Sequence, residues 1–366
     1  MLNNKTIAVV VPAYNEETQI GMVIETMPDF VDRIVVVNDC SKDKTADIVK
    51  NYWDGPLNVG IHLNRIDQNY IKTRHNKAQE ILKQLIIDEQ MKCPAFITEN
   101  KDVSSERVVL LTHKTNSGKG AGIVTGYKWC KDFGIDCIAT MDGDGQMDPD
   151  ELESICSPII YENVDYVKGN RLIHRSALLV IPKVRYLGNA ILSILTKIAS
   201  GYWHVSDTQT GFTAIGKKAL HAIRVHEIYR GYGYPNDMLI KLNIAFCSIK
   251  EVEIKPVYDI GEKSKMKLHK VIPHISWLLF KSFFKRLWTK YLFRDFHPLF
   301  ILYHLSFILF AIWIPYLFKM IRIIVSGLSA STETLFAFTF LGVTAVQFLL
   351  FAMWMDIQDN ERLYKN

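Results

Sequence analysis

Apolar and polar positions change rhythm along the chain. Up to about residue 260, short apolar runs such as IAVVV (7–11) and RIVVVN (33–38) alternate with longer amphipathic stretches. The runs predict strands over 6–12, 33–38, 107–112, 136–141 and 165–169. The stretches between them predict helices over 17–27, 43–53, 120–133 and 149–161. Runs with no polar face suit a parallel sheet buried on both sides. The alternation predicts an α/β domain, a mainly parallel sheet with helices on both faces. Ligands of such sheets bind beyond the carboxyl ends of the strands, so the residues just after each strand should carry the chemistry. Residues 60–106 break the rhythm with a charged helical stretch (72–90) and a polar tail, and read as an insertion over the surface.

A second change comes near residue 297. Segments 298–317 and 334–355 carry no formal charge and no polar face. Roughly 20 apolar residues cross a bilayer as a helix, so the pair predicts a transmembrane hairpin. Lys281, Lys285, Arg286, Lys290 and Arg294 precede it, and Arg362 and Lys365 follow it. The positive-inside rule then puts the domain and both termini in the cytoplasm, with Lys319 and Arg322 snorkelling at the far interface. Segment 275–293 mixes Trp, Phe and Leu with Lys and Arg, which predicts an amphipathic helix on the membrane surface. The expected organisation is a domain over 1–260, a basic loop and interface helix over 261–296, two spans within 297–356 and a cytoplasmic tail over 357–366.

Composition adds exclusions. The chain has 366 residues, 49% hydrophobic and 22% charged, which excludes a disordered protein. Its 43 basic and 38 acidic residues leave a net charge of +5, too mild to imply a nucleic-acid partner. Six cysteines without a CxxC or Cys/His metal spacing read as reduced, mostly buried thiols.

The strand ends carry the chemistry. The first strand runs into Pro12-Ala13-Tyr14-Asn15-Glu16, the second into Asn38-Asp39, and the strand over 136–141 into Asp142-Gly143-Asp144-Gly145-Gln146. Crowded carboxylates repel unless a cation joins them. Residues two apart on an extended segment project to one side, so Asp142 and Asp144 can face one ligand. Hard oxygen donors with open positions suit Mg2+ or Mn2+ held partly by phosphate.

These blocks resemble those of the family 2 glycosyltransferases, which have the GT-A fold. The resemblance rests on PAYNE (12–16), VNDCSKDKT (37–45), NSGKGAG (116–122) and MDGDGQMDP (141–149). GNR (169–171), DTQTGF (207–212), GYGYPND (231–237) and KSKMKLHK (263–270) make it similar to the polyprenyl-phosphate sugar transferases, the dolichol-phosphate mannose and glucose synthase group. The resemblance implies that Pro12, Tyr14, Glu16 and Asp39 line a nucleotide pocket. It implies that Asp142 contacts the sugar nucleotide, with Asp142, Asp144 and Gln146 on the metal. Lys119 would approach the nucleotide, Arg171 and Arg185 would grip phosphate, and Asn189 falls where the family often has a serine for the lipid phosphate. Asp237 falls where relatives carry an acidic residue.

The implied partners are a nucleotide sugar (GDP-mannose or a UDP-hexose), a polyprenyl phosphate and the bilayer. The implied reaction is an inverting, metal-dependent transfer with Asp144, Arg171 and Asp237 at its centre. A phosphate acceptor is already anionic and needs no base, whereas a sugar hydroxyl would need one. Asp237 could serve as that base, so transfer to a lipid-linked saccharide stays open at this stage. A non-catalytic nucleotide-sugar-binding protein is the remaining alternative.

Overall fold

The computed structural model describes residues 1–53, 76–181, 183–257 and 268–365. Its centre is an eight-stranded sheet, ordered β3-β4-β2-β1-β5-β7-β6-β8. The strands are β1 (Ile7–Ala13), β2 (Arg33–Asn38), β3 (Phe96–Thr98), β4 (Val108–His113), β5 (Cys137–Thr140), β6 (Tyr166–Asn170), β7 (Thr213–Gly216) and β8 (Ile249–Glu253). β1, β2, β4 and β5 are parallel. β7 runs antiparallel to both β5 and β6, and β6 is parallel to β8. The α/β class is as expected, but the sheet is mixed.

Alternation along the central strands divides the core. Ala8, Val10, Val35, Val37, Val109 and Leu111 pack on one face with helices Lys119–Asp132 and Tyr234–Ile244. Ile7, Val9, Val11, Ile34, Val36 and Leu110 pack on the other with helices Ile20–Glu25, Thr45–Lys50 and Leu152–Tyr161. Side chains of a strand point alternately to opposite faces, so an all-apolar run must be covered twice. That is why IAVVV carries no polar position.

The expected insertion is more integrated than a surface excursion. Residues 54–75 lie outside the described residues, but helix Lys77–Lys92 docks through Glu89, which accepts from Lys131 Nζ at 2.8 Å and from the Val225 amide at 3.0 Å. β3 then extends the sheet antiparallel to β4.

Helices Pro298–Val325 and Thr332–Glu361 are both long and apolar enough to cross a membrane. They form a hairpin in which Ser306 Oγ donates to the Ala345 carbonyl and Trp313 Nε1 to that of Phe338, each at 2.9 Å. The segment read as an interface helix is helical over Leu268–Trp288 and continues in a wider turn over Thr289–Arg294. Ile275, Leu279, Phe283 and Leu287 on its inner face join Leu192, Ile240, Leu299 and Ala352 in a third apolar cluster. Trp277 and Phe280 remain 68% and 57% exposed on the other face.

Two of the charges counted for orientation are not free to report it. Arg286 and Lys290 are fully buried. Arg286 forks onto Asp356, NH1 to Oδ1 and NH2 to Oδ2, each at 2.8 Å. It also donates to the carbonyls of Ala199 (2.9 Å) and Ile198 (3.1 Å) at the end of helix Lys183–Ser200. Lys290 donates to Asn360 Oδ1 at 2.6 Å and to Asn243 Oδ1 at 3.1 Å. The expected tail is likewise built in: the helix runs on to Glu361, and Tyr364 bridges to Ile249 at the sheet edge.

Candidate active site

Because β1, β2, β4 and β5 are parallel, their carboxyl ends share one edge of the sheet. β6 delivers its end to the same edge, and the reversed β7 delivers its beginning. The loops that emerge there enclose a cleft of about 1500 Å³. Pro12, Tyr14, Glu16, Asp39, Lys119, Asp142, Asp144, Gln146, Arg171 and Asn189 all line it.

The first two loops are joined across the cleft floor. Asn15, in the left-handed region (φ 54°), accepts from the Lys42 amide at 2.9 Å and donates its own amide to Ser41 Oγ at 3.0 Å. The Glu16 amide donates to Thr45 Oγ1 at 2.9 Å. Asparagine tolerates this backbone better than most residues.

Asp39 is held from behind. Its Oδ1 meets His113 Nδ1 and the Ser117 amide, and its Oδ2 the Gly118 amide, all at 2.8 Å. His113 Nε2 in turn meets Thr125 Oγ1 at 2.7 Å. Burial pushes the Asp39 carboxyl up, but the His113 contact and the two amides outweigh it and hold the group below its ordinary value. Gly118 has φ 93°, a backbone that side chains resist, which lets the loop turn its amide onto Asp39 before helix Lys119–Asp132 begins. His113 is the residue that sequence reading passed over. Its signal was its place at a strand's carboxyl end, the rule that picked out Asp39 and Asp142.

Asp142 and Asp144 follow β5. Lys119 Nζ donates to Asp142 Oδ2 at 2.6 Å. Asp144 is pushed up to about 6, by burial first and then by the charge of Asp142, with Lys119 countering only in part. Two neighbouring carboxylates with one lysine between them are hard oxygen donors of the kind that fits Mg2+ or Mn2+. Among the described residues no group of three or more His, Cys, Asp or Glu side chains forms a protein-only metal cage.

Arg171 is clamped by Asp207, with Nε at 2.8 Å and NH2 at 3.1 Å from the two carboxylate oxygens. Burial raises Asp207, but the guanidinium wins and the carboxyl is lowered. The planar fork fixes where Arg171 faces the cleft. Ile191 and Leu192 of helix Lys183–Ser200 and Ile272 and Ile275 of helix Leu268–Trp288 give the same cleft an apolar stretch of wall. Ile191, Ile194 and Trp277 there are more than half exposed.

Two expected residues stand apart. Asp237 does not line the cleft; it is 3% exposed, and its Oδ2 accepts from the Tyr229 amide at 2.8 Å and Lys241 Nζ at 2.5 Å. The structure thus gives a buried tie to the residue that could have served as a base at the reacting centre. The side chain of Arg185 lies outside the described residues, although its backbone belongs to helix Lys183–Ser200. The basic loop of 263–270 falls largely outside them too.

Comparison with known proteins follows the same lines. The family model described as glycosyl transferase family 2 matches residues 8–87 and 85–224. A UDP-N-acetylglucosamine–dolichyl-phosphate N-acetylglucosaminyltransferase of Methanococcus voltae is 28% identical over 256 residues, 70% of this chain and 87% of that protein. An undecaprenyl-phosphate mannosyltransferase of Micrococcus luteus is 29% identical over 161 residues, 43% of this chain and 65% of that one. Among solved structures, glucosyl-3-phosphoglycerate synthase of Mycobacterium tuberculosis, in complex with Mn2+, uridine diphosphate and glucosyl-3-phosphoglycerate, is 17% identical. It covers 77% of this chain and 80% of its own, with a TM-score of 0.45.

Proposed function

The chain belongs to glycosyl transferase family 2, and on that premise we propose that it is a membrane-bound, inverting enzyme that moves a sugar from a nucleotide donor to a polyprenyl phosphate. One observation carries the reading: one cleft is lined both by acidic groups and by apolar residues of helices Lys183–Ser200 and Leu268–Trp288, which we place beside the membrane. A charged donor and a lipid acceptor need both kinds of wall. The relatives named above act on dolichyl and undecaprenyl phosphates, which supports the acceptor class. Their sugars differ, so the donor is assigned only as a nucleotide sugar, GDP-mannose or a UDP-hexose.

In this reading Pro12, Tyr14, Glu16 and the tethered Asp39 bind the nucleoside, and Lys119 and Asp142 the diphosphate-sugar part. Asp142, Asp144 and Gln146 would hold Mg2+ or Mn2+, which would neutralise the charge of the departing diphosphate. Arg171, Arg185 and Asn189 receive the acceptor phosphate. Its oxygen attacks the anomeric carbon as the bond to the diphosphate breaks, inverting that centre. The acceptor brings its own negative charge, so arginines and positioning replace a base. The buried tie of Asp237 to Lys241 agrees with a reaction that has no use for a base there. The hairpin anchors the domain, which we place on the cytoplasmic side. Incubating the purified chain with a panel of UDP- and GDP-sugars, a short polyprenyl phosphate and Mn2+ tests the reading; no sugar phospholipid from any donor would defeat it.

A further inference from the structure

Helix Thr332–Glu361 carries Gln347 inside its apolar stretch 334–355. The residue lies about 20 Å along the axis from Thr334 and about 12 Å from Met355. On the reading that the hairpin spans the bilayer, its amide is deep in the hydrocarbon. The side chain is shorter than the Lys and Arg stems that snorkel to an interface. Gln347 is exposed and makes no hydrogen bond to a described residue. With no water at that depth to pair it, an amide facing lipid is costly.

The first span does not supply the partner. Ala345 and Ala352 are fully buried on the face turned to it, where Ser306 Oγ meets the Ala345 carbonyl at 2.9 Å. Gln347 is two residues beyond Ala345, about 200° round the helix. Trp313 spends its N–H on the Phe338 carbonyl. Thr339 is exposed as well, but a threonine hydroxyl can return to a carbonyl of its own helix. Phe336, Phe340, Val343, Leu350 and Trp354 flank Gln347 at alternating steps of four and three, and each is more than half exposed. That spacing is the seam of two helices packed side by side, and one polar residue within such a seam fixes register and partner number.

Topology selects the occupant. Copies of one chain enter the bilayer in the same orientation. A twofold axis along the membrane normal therefore sets Gln347 against its counterpart in a second copy, at the same depth. An amide carries both a donor and an acceptor, so the pair closes two hydrogen bonds at once. We propose that the chain forms a homodimer within the membrane through the outer face of helix Thr332–Glu361, with the Gln347 amides of the two copies bonded to each other.

The test uses full-length copies carrying donor or acceptor dyes, reconstituted in phosphatidylcholine vesicles over a range of protein-to-lipid ratios, with energy transfer as the readout. Gln347→Leu should need about tenfold more protein per lipid for half-association, and Gln347→Asn, which keeps an amide, should fall between. Gln347→Leu should melt at the wild-type temperature in detergent, since it loses no bond within its own chain. In the same vesicles Leu350→Cys should cross-link into dimers above the wild-type background, and Ile312→Cys, on the exposed side of the first span, should not. Equal association of wild type and Gln347→Leu, or equal cross-linking at the two cysteines, would overturn the proposal. A wild type that stays single across the range would overturn it too and leave another membrane protein as the occupant. Release of the chain from vesicles by alkaline carbonate would overturn it together with the spanning reading.

Discussion

Replacing Asp356 by alanine probes how the hairpin is attached to the catalytic domain. Asp356 is fully buried near the end of the second apolar helix and faces an equally buried Arg286. The substitution removes both bonds of the fork and the contact of Tyr291 Oη with Asp356 Oδ1 at 3.0 Å. It leaves a guanidinium away from water, with the Ile198 and Ala199 carbonyls as its remaining acceptors among the described residues. Breaking a buried pair from one side costs about 3–5 kcal/mol. For a chain of this size that corresponds to a melting temperature lower by roughly 4–7 °C. Thermal unfolding in detergent, followed by circular dichroism, measures it. The double change Arg286→Met with Asp356→Leu removes both charges and should recover most of the loss, because the cost lies in the orphaned charge and not in a large net gain from the pair. The reasoning is refuted if Asp356→Ala melts within about 1 °C of wild type, or if the double variant falls as far as the two single losses added together.

Two further outcomes follow from the cleft and the interface helix. Asp144→Ala should abolish transfer while leaving the melting temperature close to wild type; substantial transfer in saturating Mn2+ would contradict the metal role. Glu227 is raised by burial but held down to about 2 by Lys285 and Arg224, below the ordinary glutamate value near 4.3. Its contribution to stability is therefore full above about pH 5 and is lost as pH falls towards 2, so Glu227→Gln should flatten that part of the stability–pH curve. Parallel curves for the two proteins would show that Lys285 does not fasten the interface helix there.

Much of the fold could be read from the chain because its central strands are buried on both faces. RIVVVN has no polar face to confuse its reading, and β2 spans the residues expected of it. β7 and β3 were not foreseen: TAIG and FIT are short, and the direction of a strand is decided by its neighbours, not by its own residues. The cleft was legible because a parallel sheet gathers strand ends, so PAYNE, NDCS and DGDGQ converge although far apart in the chain. Asp237 did not follow, since a carboxylate in a matching block can point back into its own helix and pair with Lys241. Arg286 and Lys290 looked like membrane-flanking charges, because nothing local reveals that their partners Asp356 and Asn360 lie on another helix.

The bond that joins sugar to lipid in the product distinguishes a phosphate acceptor from a hydroxyl one. With a labelled nucleotide sugar, Mn2+ and a short polyprenyl phosphate, the label should appear in a lipid whose sugar sits on phosphate and is released by mild acid. The corresponding unphosphorylated polyprenol should remain unlabelled. Label in an acid-stable glycoside, or equal use of the alcohol, would contradict it.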